Sequence, residues 1–243
     1  MNRFYTTPLS PQREIQRHSV PVVECGEALV PSSLYPSKIL VRSRYFTENL
    51  PYSMPECYLR ESVFERLIKA ADVLPAGWRF VIWDGWRSPE LQAKLFEILE
   101  GRISNANPQL SAEEVRARTS VFVALPSIEP MTVSGHCTGG AVDLTIADEK
   151  GRLLDMGGLF DEPTERSFSR HYEELLEKNS ALTGAEQRAL ENRRFLIHIM
   201  EEEGFSNYPH EWWHFDYGNR SWALRTGAQE ARYAFMAPYA PWK

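Results

Sequence analysis

Cysteine is scarce in this chain. Three occur in 243 residues, Cys25, Cys57 and Cys137. An odd, widely spaced set gives neither a disulfide framework nor a Cys-type zinc cluster, so a reducing, cytoplasmic compartment is expected. Positive charge is also short, with 27 Lys and Arg against 33 Asp and Glu. A formal charge of −6 argues against nucleic acid as the main partner, because phosphate recognition needs a basic surface. No apolar run approaches the ~20 residues of a membrane span. Residues 1–8 are polar and lack the apolar core of a signal peptide. Internal repeats, low-complexity tracts and an evident domain boundary are missing too.

What remains suits one globular domain over residues 1–243. Hydrophobic residues make up 43% and charged residues 25%, and seven Trp, ten Tyr and twelve Phe supply a full core. Residues 1–37 carry five prolines and little period, which predicts an extended arm with one strand at 20–23. Residues 44–52 read as a loop rich in aromatic and polar groups. Leu59, Val63, Leu67, Ala71 and Leu74 recur at helical spacing over 56–74, and Pro75 and Gly77 end that helix. A buried strand follows at 78–83. Ser88-Pro89-Glu90 then reads as a cap, a first-turn proline and a first-turn acid, opening a helix that runs to Gly101. Capping boxes at Ser111/Glu114 and Thr183/Glu186 open two more helices, and a shorter one is expected at 169–179. Residues 219–243 form an aromatic tail expected to pack on the domain.

The chemistry concentrates at residues 134–143, Ser-Gly-His-Cys-Thr-Gly-Gly-Ala-Val-Asp. His136 and Asp143 are both common metal ligands. Gly139 and Gly140 permit the backbone bend that would bring them to one point. Val142 to Ile146 alternates apolar and polar, as a strand does. A hairpin with a capping His and a turn Asp accounts for the same residues. Arg87 sits where a core strand hands over to a helix, and suits either a cleft or a surface salt bridge.

Residues 210–214, His-Glu-Trp-Trp-His, fit the H-E-x-x-H pattern of helical zinc proteases. Pro209 just before, the aromatic middle and Gly218 soon after oppose a helix and favour a strand. In the strand reading His214 is a third ligand beside His136 and Asp143, and Glu211 is the base. Residues i and i+3 of a regular strand face opposite ways, so a bulge or strand start must then bring Glu211 and His214 together. His210 becomes an ordinary surface or neighbouring residue.

These segments together resemble the M15 zinc peptidases, the D-alanyl-D-alanine dipeptidases of the VanX type. The resemblance is carried by Ser134-x-His136-x-x-Gly139-x-Ala141-x-Asp143, Glu211-Trp212-Trp213-His214, Asp84-Gly85-Trp86-Arg87 and the helix around 192–205. It runs from about residue 40 to 217. It implies an α+β fold, a small antiparallel sheet with flanking helices, and one zinc per chain held by His136, Asp143 and His214. It further implies Glu211 as catalytic base and Arg87 as transition-state cation. Ser134 and Tyr45 correspond to contacts with the substrate's carboxylate end, and Asp161 to one holding its free amine. The implied substrate is a small free dipeptide, D-Ala-D-Ala foremost. Trp86 in place of the usual Tyr and Ser88 before the proline depart from the pattern. A D,D-carboxypeptidase and a non-catalytic zinc module are the rival readings, and retention of both Glu211 and Arg87 speaks against the second. Cys137 as a nucleophile is a poor alternative, because a metal-bound His136 is not free to act as its base.

Overall fold

The computed structural model describes residues 2–11 and 20–237. Its first half comprises α1 (Asn2–Thr6), β1 (Leu29–Pro31), β2 (Ile39–Val41), α2 (Arg44–Thr47), β3 (Tyr58–Arg60), α3 (Glu61–Asp72), β4 (Arg79–Asp84) and α4 (Pro89–Ala106). The second half comprises α5 (Ala112–Phe122), β5 (Ala141–Ala147), α6 (His171–Glu177), α7 (Gly184–Glu202), β6 (Ser206–Tyr208), β7 (Glu211–Asp216) and α8 (Arg220–Thr226). The fold is α+β with flanking helices, as expected. Its main sheet runs β2-β4-β5-β7-β6, antiparallel throughout except that β2 joins β4 in parallel.

The alternation of β5 marks two different covers. Val142, Leu144 and Ile146 enter the main hydrophobic cluster with Leu67 of α3 and Phe195, Ile199 and Met200 of α7. Each such side chain contributes roughly 1.5–3 kcal/mol on burial. Asp143 and Thr145 are buried as well, on the opposite face, where the candidate site lies. The caps at Ser88, Ser111 and Thr183 form as the sequence predicts, the last two as complete capping boxes.

Several short elements differ from expectation. Residues 44–47 form one helical turn, too short to show a period. Residues 58–60 pair with β1 as a strand, so the next helix begins at Glu61 and not near 56; Leu59 merely falls in register with that helix's apolar spacing. α4 passes through Gly101 to Ala106, since an exposed glycine weakens a helix without breaking it. The arm is not wholly extended: it contains α1 and β1, and its expected 20–23 strand reduces to one bridge from Val22 to Ala231. The tail contains α8 and buries Tyr233. Residues 12–19 of the arm and 238–243 of the tail lie outside the described residues.

Two irregularities in the sheet position the site. On β4 the pairing passes from Ile82↔Leu144 to Asp84↔Asp143, leaving Trp83 as an extra residue. That bulge brings Asp84 into line with Asp143, whose partner on the other side is His214. On β7 the pairing jumps from Asn207↔Phe215 to Tyr208↔Glu211, so Trp212, Trp213 and His214 have no partner on β6. This is the bulge that the i, i+3 pair Glu211 and His214 requires. The Asn207 side-chain amide holds it, donating to the carbonyls of Glu211 (3.1 Å) and His214 (2.9 Å) and more weakly to that of Trp212 (3.4 Å). Asn207→Ala should therefore cost about 1–3 kcal/mol in urea unfolding, the usual cost of buried polar groups left unpaired. A loss below about 0.5 kcal/mol, the scale of a neutral surface change, would show that tryptophan packing alone holds the bulge.

Candidate active site

His136 lies in a 3₁₀ turn (His136–Thr138) directly before β5, with Gly139 at φ +74° closing the turn. Candidate ligand atoms of His136, Asp143 and His214 all lie within 4.8 Å of one another. His136 Nε2 is 3.1 Å from His214 Nδ1 and 3.3 Å from Asp143 Oδ2, and His214 Nδ1 is 2.9 Å from Asp143 Oδ1. The outer nitrogens have partners of their own. His136 Nδ1 stands 2.8 Å from the Gly85 carbonyl, which can only accept, so the proton of a neutral ring sits there. His214 stands between two carboxylates, Nε2 3.2 Å from Asp216 Oδ1 and Nδ1 2.9 Å from Asp143 Oδ1; burial opposes its charged form, yet the two acids raise its pKa well above the ordinary value. Relieved of any inner proton, the two rings aim lone pairs at one point beside a carboxylate. That donor set fits a divalent cation, with each ligand oriented by an outer partner. Burial opposes ionisation of Asp143, yet the two imidazoles hold its carboxyl well below the usual range.

Arg87 combines both expectations for it. It is an ion-paired arginine, Nε and Nη2 donating to Asp84 Oδ2 at 2.9 and 2.7 Å, but it is buried and stands 3.9 Å from Asp143 Oδ2. Nη1 donates to Gln92 Oε1 at 2.9 Å. Tyr45, which the resemblance assigns to the carboxylate end, has its hydroxyl 3.4 Å from Asp161 Oδ1 and 3.4 Å from Arg87 Nη2. Burial and the negative charge of Asp143 push the Asp161 carboxyl up to about 7, with Arg87 and the Tyr45 hydroxyl opposing the rise.

Glu211 is buried, and among the described residues its carboxylate makes no hydrogen bond; His214 Nδ1 is 3.9 Å away. Burial pushes its pKa well above the ordinary range, with Asp143 and Asp161 adding and His214 opposing. Ser134 lines the same pocket, of about 290 Å³, with Arg87, Asp161, Glu211 and the three converging residues. His210 is outside the converging group: the strand begins after it, its ring packs on Phe168 and Tyr208, and Nδ1 meets the Tyr208 hydroxyl. Cys137 is fully buried, and burial raises its thiol to about 11, the reverse of an activated nucleophile.

The family profile of the D-Ala-D-Ala dipeptidases, Peptidase M15, matches residues 40–232. The chain belongs to this family. It is a metallopeptidase. Relatives include a D-alanyl-D-alanine dipeptidase of Synechocystis, 30% identical over 97% of this chain and 98% of that one. Proteins of the same name from Escherichia coli and Enterococcus faecium are 32% and 30% identical. The first alignment spans 68% of this chain and 69% of its relative, the second 62% and 68%.

Sequence reasoning missed Asp84, Gln92 and Asp216 as parts of this peptidase site. Asp216 was within reach, because residues 214 and 216 share one face of a strand. Its Oδ2 accepts from Arg225 Nη1 at 2.7 Å and its Oδ1 from Asn219 Nδ2 at 2.6 Å, so it is fixed behind His214. Metal analysis should find zinc lost from His136→Ala and His214→Ala but kept in His210→Ala; the reverse pattern restores the helical H-E-x-x-H reading. Asp216→Asn should keep the fold and weaken zinc affinity roughly 10–100-fold, the usual effect of removing an outer-shell partner.

Proposed function

We propose that this peptidase hydrolyses the peptide bond of a small free dipeptide, D-Ala-D-Ala foremost, with one zinc held by His136, Asp143 and His214. One observation carries the reading: the converging triad, the buried Glu211 and Arg87, and the Asp161–Tyr45 pair share one pocket. When bound, zinc supplies a Lewis acid that acidifies water and polarises the scissile carbonyl. Glu211, a carboxylate of raised proton affinity with no competing hydrogen bond among the described residues, takes the proton of the attacking water and delivers it to the leaving amine. Arg87, fixed by Asp84 and Gln92, faces the oxyanion of the tetrahedral state. Asp161 receives the substrate ammonium; Tyr45, expected at the carboxylate end, has its hydroxyl 3.4 Å from Asp161 Oδ1, which favours the amine end for it instead.

Ser134 serves the carboxylate end. Its neighbour Gly135 leans on the far wall, where a Cβ would meet Asp216 Oδ1 at 2.5 Å and Asn219 Nδ2 at 2.7 Å. Arg220 lines the same pocket and, among the described residues, has no ion-pair partner, so it adds positive charge for that carboxylate. One hydrophobic cluster running from Phe4 to Tyr233 supports reading the whole chain as a single domain. The three cysteines are free thiols, which supports a reducing cytoplasmic setting, and no described helix is long and apolar enough to cross a membrane.

Glu211→Ala should keep its zinc and lose about 10²–10⁴ in turnover, the range of general-base catalysis. Arg87→Ala should likewise keep zinc while kcat falls roughly 10²–10³ with a smaller change in KM; near-normal kcat would return Arg87 to a purely structural ion pair. The substrate reading is tested with D-Ala-D-Ala, its N-acetyl derivative and longer peptides. The free dipeptide should be cleaved and the blocked ones poorly, because an acylated nitrogen leaves Asp161 without its cation. Efficient release of the terminal residue from N-acylated peptides would make the protein a carboxypeptidase.

A further inference from the structure

Gly157 and Gly158 stand just before Asp161, yet the loop that carries them is tied down. Gly157 has φ +73°, and a Cβ there would collide with the Tyr172 ring; one at Gly158 would meet the Arg166 carbonyl at 2.8 Å. These glycines serve close packing, not opening. The ties converge on one side chain. Arg193 of α7 is fully buried, and donates from Nε to the Met156 carbonyl (2.7 Å), from Nη1 to that of Phe168 (2.7 Å) and from Nη2 to that of Arg166 (2.6 Å). Both legs of the loop are therefore held by a single guanidinium. Asn192 Nδ2 adds a bond to the Asp155 carbonyl, and the Tyr172 hydroxyl one to that of Gly157. At the tip, Phe160 packs on Trp83 and Trp213 next to Asp161.

A cation buried this way is unusual in having no carboxylate. Among the described residues Arg193 makes no ion pair, and burial lowers its pKa only to about 10, which leaves it charged at neutral pH. Its company is three carbonyls and the faces of Tyr172 and Trp212, at 4.8 and 5.9 Å. Burying a charge without a counter-charge is costly, so stability alone gives poor grounds for an arginine here. Arginine offers what a neutral side chain cannot: a rigid planar fork that satisfies carbonyls from two chain segments at once. The segment so closed is an Ω-like loop whose tip bears the acid at the amine end of the pocket.

We propose that Arg193 is a positioning residue for substrate selection: by locking the neck of the 156–168 loop it sets Asp161 where it accepts a free ammonium and rejects an acylated nitrogen. This rests on the reading of Asp161 as the amine contact. The test compares kcat and KM for D-Ala-D-Ala and N-acetyl-D-Ala-D-Ala in the wild type, Arg193→Lys, Asp161→Asn and the double variant, with zinc content and amide hydrogen exchange of residues 156–168. Arg193→Lys should keep zinc, speed exchange in the loop and raise KM for the free dipeptide about tenfold with little change in kcat. The N-acetyl substrate should be unaffected, and the double variant should be no worse than Asp161→Asn, since coupled residues are not additive. Equal losses on both substrates, or additive losses in the double variant, would reduce Arg193 to a structural residue. Discrimination lost in Asp161→Asn but intact in Arg193→Lys overturns the proposal alone. If Asp161→Asn leaves discrimination unchanged, the amine-contact reading fails and takes the proposal with it. Should Arg193→Lys not fold, Tyr172→Phe unties the same loop at Gly157; it should narrow the discrimination in the same direction, and an unchanged value there is equally decisive against the idea.

Discussion

Two imidazole nitrogens facing each other at 3.1 Å are the constraint on which the site depends. The Gly85 carbonyl holds a proton on His136 Nδ1, so that ring turns a lone pair inward, while His214 stands between the Asp143 and Asp216 carboxylates, which favour its charged form. The pair therefore sits in a geometry that a shared proton, or a shared cation, makes favourable. Much of the surrounding structure answers that demand. The Asp216–Asn219–Arg225 cluster fixes one ring, and the Gly85 carbonyl, set by the β4 bulge, fixes the other.

The sheet meets this demand by departing from regularity. Uninterrupted pairing would set Trp83, not Asp84, opposite Asp143, and Arg87 would lose the carboxylate that aims it. An unbulged β7 would turn Glu211 and His214 to opposite faces. Irregularities on either side of a fully buried central strand thus gather residues from three strands around one point. The tryptophans of both bulges, Trp83 and Trp212, meet edge to face at 5.9 Å, so the departures are packed against each other and not left as loose defects.

What was legible in the sequence follows from range. Caps, long helices and the central strands depend on neighbours a few residues away, and Ser88, Ser111 and Thr183 announce their helices correctly. The converging residues were legible because His136 and Asp143 lie close in the chain and Glu211 and His214 sit in an aromatic strand pattern. The one-turn helix at Tyr45 and the three-residue strand at Leu59 were not, since elements that short have no period to read. Asp84 stayed hidden as a site residue because its place depends on a bulge, and a bulge leaves no local signature in Val-Ile-Trp-Asp. The rigid hold on the Asp161 loop was hidden for another reason: Gly157-Gly158 has the same spelling whether the glycines give freedom or make room.

Charge completes the account of what the pocket is built to receive. Asp143, Asp161, Glu211 and Asp216 line it, with Asp84 just behind, while Arg87, Arg220 and Arg225 supply the positive side. Five carboxyl groups against three guanidiniums are a formal excess of two acids, crowded where charge is less screened than in bulk water. The strain is visible in the acids themselves, since burial and mutual repulsion raise the proton affinity of Asp161 and Glu211 above the ordinary carboxylate range. A dication at the triad would balance that excess. It would also separate the acids by role, with Asp143 taken up as a ligand and Glu211, 3.9 Å from His214 and without a hydrogen bond among the described residues, left to exchange protons. Asp161, the exposed one of the three, would stay available for a substrate cation. On the proposed reading one pocket gives three acids three tasks.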